Sequence, residues 1–180
     1  MTVTPSKYYL SLLLTISMIF ISHAISPTSS PKLYQNVCKE LGSQERQERC
    51  LKILETHPEI TLAKDYSNFC LFSNKVAIEK ATQSQNYIKE MMTRYPSSEA
   101  IKSCATSCYD GVLAQLQGLC NVDLSFMDLN ILYAFDDIAA CERGLADEKI
   151  VDISSINTLN FDMKILVDIL FSVYEHLKIK

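Results

Sequence analysis

Cysteine is the residue type here best suited to chemistry: Cys38, Cys50, Cys70, Cys104, Cys108, Cys120 and Cys141. Thiols in such numbers form disulfides in an oxidising compartment, whereas in a reducing one they ligate metal or act as nucleophiles. Spacing disfavours the second use. No Cys-x-x-Cys occurs, and Cys104 and Cys108, four apart on one helical face, supply only two of the about four ligands a zinc site needs. Histidines are few and scattered: His57 precedes a proline and His176 lies late in the sequence, so both read as solvated surface residues. Asp136-Asp137 has the makings of a carboxylate pair, but adjacent residues on a helix do not face each other, and they read as a solvated face. There is no Gly-x-Ser-x-Gly, no phosphate loop and no His-Glu-x-x-His. No catalytic, cofactor-binding or metal-ligating residues are therefore expected, and the chain reads as a non-enzyme. Its net charge of −4 argues against a nucleic-acid partner.

The start of the sequence bears on which redox compartment applies. After Lys7 comes an apolar run from Tyr8 to Ile21, closed by Ser22-His23-Ala24 with small residues at the outer and inner positions of a cleavage site. A basic start, a short apolar core and a small-x-small exit describe a secretory signal peptide over residues 1–24. The run is too short for a spanning helix, which needs about 20 apolar residues. Its removal leaves residues 25–180, with a net charge of −5 because Lys7 is lost, as a secreted domain without a membrane segment. All seven cysteines fall in that part, so disulfides are expected, and the odd number leaves at least one thiol over.

The elements that must position these cysteines are helical. Only 4 glycines occur among 180 residues, which favours long regular elements over hairpin-rich sheet. Three- and four-residue apolar steps predict two short helices, from Pro31 to about Leu41 and from Gln44 to Thr56, hinged at Gly42. A long helix follows from a Thr61 cap to Tyr95 before Pro96. The next starts near Glu99 and carries Cys104, Cys108, Val112, Leu116 and Cys120; a third spans Leu124 to Ala146. The last is capped by Asn157 or Thr158 and runs through Leu159, Met163, Leu166, Ile169, Val173 and Leu177. Mostly short connections predict an all-α, antiparallel up-down-up-down four-helix bundle with an N-terminal helical hairpin, stapled by disulfides.

Register then suggests pairings. Cys38 and Cys50 sit on the two arms of the hairpin. Antiparallel helices turning near residues 121–123 bring position 104 level with about 140–142, which supports Cys104–Cys141 over Cys108–Cys141. Cys70, Cys108 and Cys120 remain as free thiols; Cys70, beside Phe69, reads as a buried one. Cys120, near a helix end, is the candidate for a disulfide-linked dimer of what is otherwise a monomer or weak dimer.

These features resemble the plant invertase and pectin methylesterase inhibitor family. The residues carrying the likeness are Tyr34-Gln35-Asn36-Val37-Cys38, Glu48-Arg49-Cys50-Leu51, Cys104 followed by Tyr109-Asp110-Gly111-Val112, and Ala139-Ala140-Cys141-Glu142-Arg143-Gly144. The resemblance implies pairing of first with second and third with fourth family cysteines, location in the apoplast or cell wall, and action by covering the active-site cleft of pectin methylesterase or acid invertase. Two family positions differ, with Cys108 where the family has Tyr and Gly111 where it has Ala. The Pro-Lys-Phe of invertase inhibitors is missing between Cys104 and Cys141; Pro31-Lys32-Leu33, the nearest match, lies in the N-terminal leader. Leu129 to Leu132 and Ala140 depart from the pectin methylesterase type. The missing Pro-Lys-Phe puts pectin methylesterase before invertase as the implied target. The other readings are a diverged binding protein without inhibitory activity, or a helical signalling protein, which needs long crossovers that only 147–156 approaches.

Overall fold

The computed structural model describes residues 32–121, 123–148 and 153–179, all of them helix or short connection. The expected signal peptide lies outside these residues. In chain order the elements are α1 (Leu33–Glu40), α2 (Gln44–Leu54), α3 (Pro58–Thr61), α4 (Tyr66–Arg94), α5 (Glu99–Ser103), a π-helical segment (Cys104–Cys108), α6 (Tyr109–Leu116), a 3-10 turn (Leu119–Asn121), α7 (Leu124–Glu148) and α8 (Ser154–Lys178). The bundle is a closed ring in which α4 packs on α6, α6 on α7, α7 on α8 and α8 on α4. Each helix thus lies beside its sequence neighbours, the arrangement that short antiparallel connections impose. The hairpin of α1 and α2 packs on α8.

Local chemistry explains the helix starts. The Ser43 hydroxyl accepts from the Arg46 amide at 3.4 Å, and Ser98 from that of Ile101 at 3.1 Å, satisfying amides that have no partner within the helix. The long helix begins four residues later than Thr61 predicts. Asp65 caps it, accepting from the Asn68 amide at 2.8 Å, while Pro58 at the first position of α3 makes Thr61 the end of a separate turn. Leu62, which a helix capped at Thr61 would carry first in its apolar stripe, falls between the two and is 70% exposed. The last helix starts at Ser154, earlier than its expected cap.

Core faces follow the helical period. In α7 they are Met127, Ile131, Ala134, Ile138, Cys141 and Leu145, all buried. In α8 the consecutive residues Ile165, Leu166 and Val167 are all inaccessible. A helix apolar on several sides is covered on several sides, and here the bundle covers one side and the hairpin another.

The helix expected through Cys104 is interrupted. At Cys104–Cys108 the chain widens into a π turn, which leaves a carbonyl without its usual helical partner. Gln85, buried on α4, donates through Nε2 to the Ala105 carbonyl at 2.9 Å and to Asp110 Oδ1 at 2.5 Å. The wider turn directs Cys104, Ala105, Cys108 and Tyr109 together into the core.

Candidate functional site

Three disulfides fasten the described residues: Cys38–Cys50, Cys104–Cys141 and Cys70–Cys120. The last corrects the reading of Cys70 and Cys120 as free thiols, and Cys120 is not available to link two copies. Cys70 points inward from the second turn of α4. Beyond α6, Gly118 takes a left-handed φ of +73°, which turns the chain back and carries Cys120 over α4, with Cα atoms 5.8 Å apart. Asn74, one turn beyond Cys70, donates to the Leu116 carbonyl at 2.9 Å and secures the same corner. The mirror argument that levels 104 with 141 also levels Cys70 with the low 120s across the turn at Pro96, so the signal was present. Cys108 is the free cysteine, and it is buried. Burial pushes its thiol pKa up, so the nucleophilic thiolate is disfavoured.

Between hairpin and bundle runs a seam of paired charges. Asp162 of α8, its side chain only 3% exposed, accepts from Arg49 Nε at 2.5 Å and from the second guanidinium nitrogen at 2.7 Å, with Lys80 of α4 at 3.4 Å. That hydrogen bonding raises the Arg49 pKa above its usual value. Further along α8, Asp168 pairs with Arg46, and Glu40 meets both Ser172 and His176. The His176 ring stacks on Tyr66 with centroids 4.3 Å apart and carries Glu40 Oε1 at 2.8 Å from Nε2. His176 is thus built into the contact between α1, α4 and α8 and is not the solvated residue its position suggests. His57 is half-buried, with Glu59 3.6 Å from Nδ1. An open groove of about 260 Å³ beside Arg49, Lys52, His57, Lys80 and Asp162 has most of its charges paired within the protein.

Inside the bundle the Tyr109 hydroxyl donates to Asn160 Oδ1 at 2.9 Å, and Asn160 Nδ2 lies 3.5 Å from Cys141 Sγ. Burial holds the phenol far above its ordinary pKa. The Asp136-Asp137 pair splits. Asp136 is exposed, but Asp137 is half-buried and lies where a Cβ on Gly111 would stand, 2.3 Å from its Oδ2. Burial, then the Asp136 charge, raise the Asp137 pKa. Both are therefore not one solvated face, and Gly111 accommodates what an alanine's methyl would crowd. Among the described residues no group of three or more His, Cys, Asp or Glu is placed to hold a metal ion, and no helix is long and apolar enough to cross a membrane.

The surface offers one concentrated feature. On α7, Phe126, Leu129, Leu132 and Tyr133 are 60%, 41%, 52% and 47% exposed. They lie opposite the buried Met127–Ile131–Ala134–Ile138 stripe, where the same period predicts polar residues. Leu124 at the start of the helix adds a further exposed apolar side chain. The apolar steps of the sequence count Tyr133 with Ala134 in the core stripe, but neighbouring residues on a helix point about 100° apart, so Ala134 is buried and Tyr133 falls on this outer face.

The described chain is thus a disulfide-stapled, antiparallel four-helix bundle with a helical hairpin, and what it presents outward is surface for contact. Its fold is similar to that of a pectin methylesterase inhibitor from Arabidopsis, solved as a crystal structure of a mutant form, at a TM-score of 0.64 and 17% identity over 81% of this chain and 97% of that one. The all-α bundle that the family resemblance implied is the fold found. No protein-family model and no curated protein matches the sequence.

Proposed function

We propose that this protein belongs to the invertase and pectin methylesterase inhibitor family and is a secreted inhibitor that obstructs the active-site cleft of a plant cell-wall carbohydrate enzyme, pectin methylesterase before acid invertase. The likeness of the whole bundle to a pectin methylesterase inhibitor carries the reading. The cysteine pattern and the apolar leader of residues 1–24 support it and are in keeping with a secreted protein of the apoplast. Absence of Pro-Lys-Phe between Cys104 and Cys141 favours the first target over the second.

Titration of the oxidised chain from Ile25 against a plant pectin methylesterase and an acid invertase in parallel tests this. Saturable loss of methylesterase activity alone is expected. Inhibition of invertase alone reverses the order of targets, and inhibition of neither leaves a binding protein with another partner.

A further inference from the structure

From Ser103 to Glu142 the chain contains no Lys, Arg or His but six acids: Asp110, Asp123, Asp128, Asp136, Asp137 and Glu142. Glu142 is paired with Lys164, Asp110 accepts from Gln85, Asp137 packs against Gly111, and Asp123 accepts from the Ser125 amide at the start of α7. Asp123, just before α7, and Asp136 are exposed and Asp128 is half-buried, and these three flank the exposed apolar side chains of α7. The cations of the fold lie outside this stretch, on the hairpin, α4 and α8 with several in ion pairs, at Lys102 on α5 and at Arg143 near the far end of α7.

Phe126, Leu129 and Tyr133 follow helical steps of three and four, with Leu132 beside them, so the four form one contiguous patch. With a large side chain offering about 200 Å² of surface, roughly half of it open, the patch exposes on the order of 400 Å². Isolated exposed leucines are ordinary, but a patch of this size marks an interaction surface. It is about half of the roughly 800 Å² that one partner contributes to a standard interface, the share expected of the apolar centre inside a polar rim.

We propose that this face of α7 is the docking surface of the protein, and that its partner presents an apolar patch edged by lysine or arginine side chains. The proposal deepens the reading of the chain as an inhibitor of another protein and rests on it for the identity of the partner. A second copy of this chain is the wrong occupant, because it brings carboxylates against carboxylates with no cation from Ser103 to Glu142 to offset them. A basic rim pairs with Asp123, Asp128 and Asp136 and accelerates encounter, most at low salt.

The test uses the oxidised chain and two sets of surface variants. Phe126→Ser with Leu129→Ser removes the apolar centre; Asp123→Lys with Asp136→Lys reverses the rim. All four positions are exposed; because Asp123 also accepts from the Ser125 amide at the start of α7, Asp136→Lys alone is run beside the pair, and a circular dichroism melt of each verifies the fold. Against pectin methylesterase, the first pair should weaken binding at least about tenfold through faster dissociation. The second should slow association and abolish its salt dependence. Wild-type inhibition with both variant pairs unaffected overturns the docking surface while leaving the inhibitor reading intact.

If the wild type binds no methylesterase or invertase, the inhibitor reading falls and the surface is tested alone. The probe is then a designed amphipathic helix with a leucine face edged by lysine, beside a twin edged by glutamate. Amide shifts at Phe126, Leu129 and Tyr133 with the lysine peptide only support the proposal. Equal shifts with both peptides, shifts elsewhere, or concentration-dependent shifts of this face in the protein alone overturn it.

Discussion

Replacing Cys70 and Cys120 together by alanine opens the longest of the three disulfide loops. Their sequence separation is 50, against 37 for Cys104–Cys141 and 12 for Cys38–Cys50. In the chain-entropy treatment the cost of closing a loop grows with the logarithm of its length, giving about 4.1, 3.8 and 2.8 kcal/mol respectively at 25 °C. The Cys70→Ala/Cys120→Ala protein should therefore lose about 4 kcal/mol, and at about 2–4 °C per kcal/mol for a domain of this size its Tm should fall by roughly 8–16 °C. Scanning calorimetry of the oxidised chains, with urea titration as a second probe, measures both. Alkylation in denaturant provides the control: the wild type should take up one label, at Cys108, and so should the double variant. Three labels on the wild type, or a loss below about 1 kcal/mol, refutes the pairing and the argument built on its loop.

Other consequences follow from the packing. Arg49→Met leaves the buried Asp162 carboxylate with Lys80 alone and should cost about 2–4 kcal/mol, whereas Asp162→Asn leaves two cations that reach water and should cost less. Urea unfolding of the two variants decides the order, and the reverse ranking sinks the account of the seam. Glu148 accepts from the Ser98 hydroxyl and the Ala100 amide at the start of α5, and these bonds hold its carboxyl below the usual range. A carboxylate depressed in the folded state stabilises at neutral pH, and that contribution disappears as pH falls through the folded pKa. The Ala100 amide resonance should accordingly titrate below about pH 4.3, the ordinary glutamate value. A midpoint above it, or an unchanged midpoint in Glu148→Gln, counts against the contact.

The sequence alone determined the helices, their antiparallel order and two of the cysteine pairings. Apolar periods of three and four specify which side of α7 is buried, and a short turn forces the helices on either side of it into a calculable register, so Cys104 and Cys141 could be matched. The same geometry reaches Cys70 and Cys120, but the turn made by Gly118 and the inward placement of Cys120 come from the packing of α6 against α4.

Tertiary structure alone decided the rest. Asp162 is buried among the apolar residues of α8 and draws its partner Arg49 from 113 residues away, a distance no local pattern encodes. The π turn at Cys104–Cys108 depends on Gln85 reaching across from α4, and His176 is held by Glu40 and Tyr66 from two other elements. Along α7 the apolar period marks the side of Met127, Ile131, Ala134 and Ile138 as core, but the hydrophobic residues off that stripe carry no local signal of whether another element covers them. Only the packed structure shows that nothing in the fold covers them and that Phe126, Leu129 and Tyr133 are left facing water.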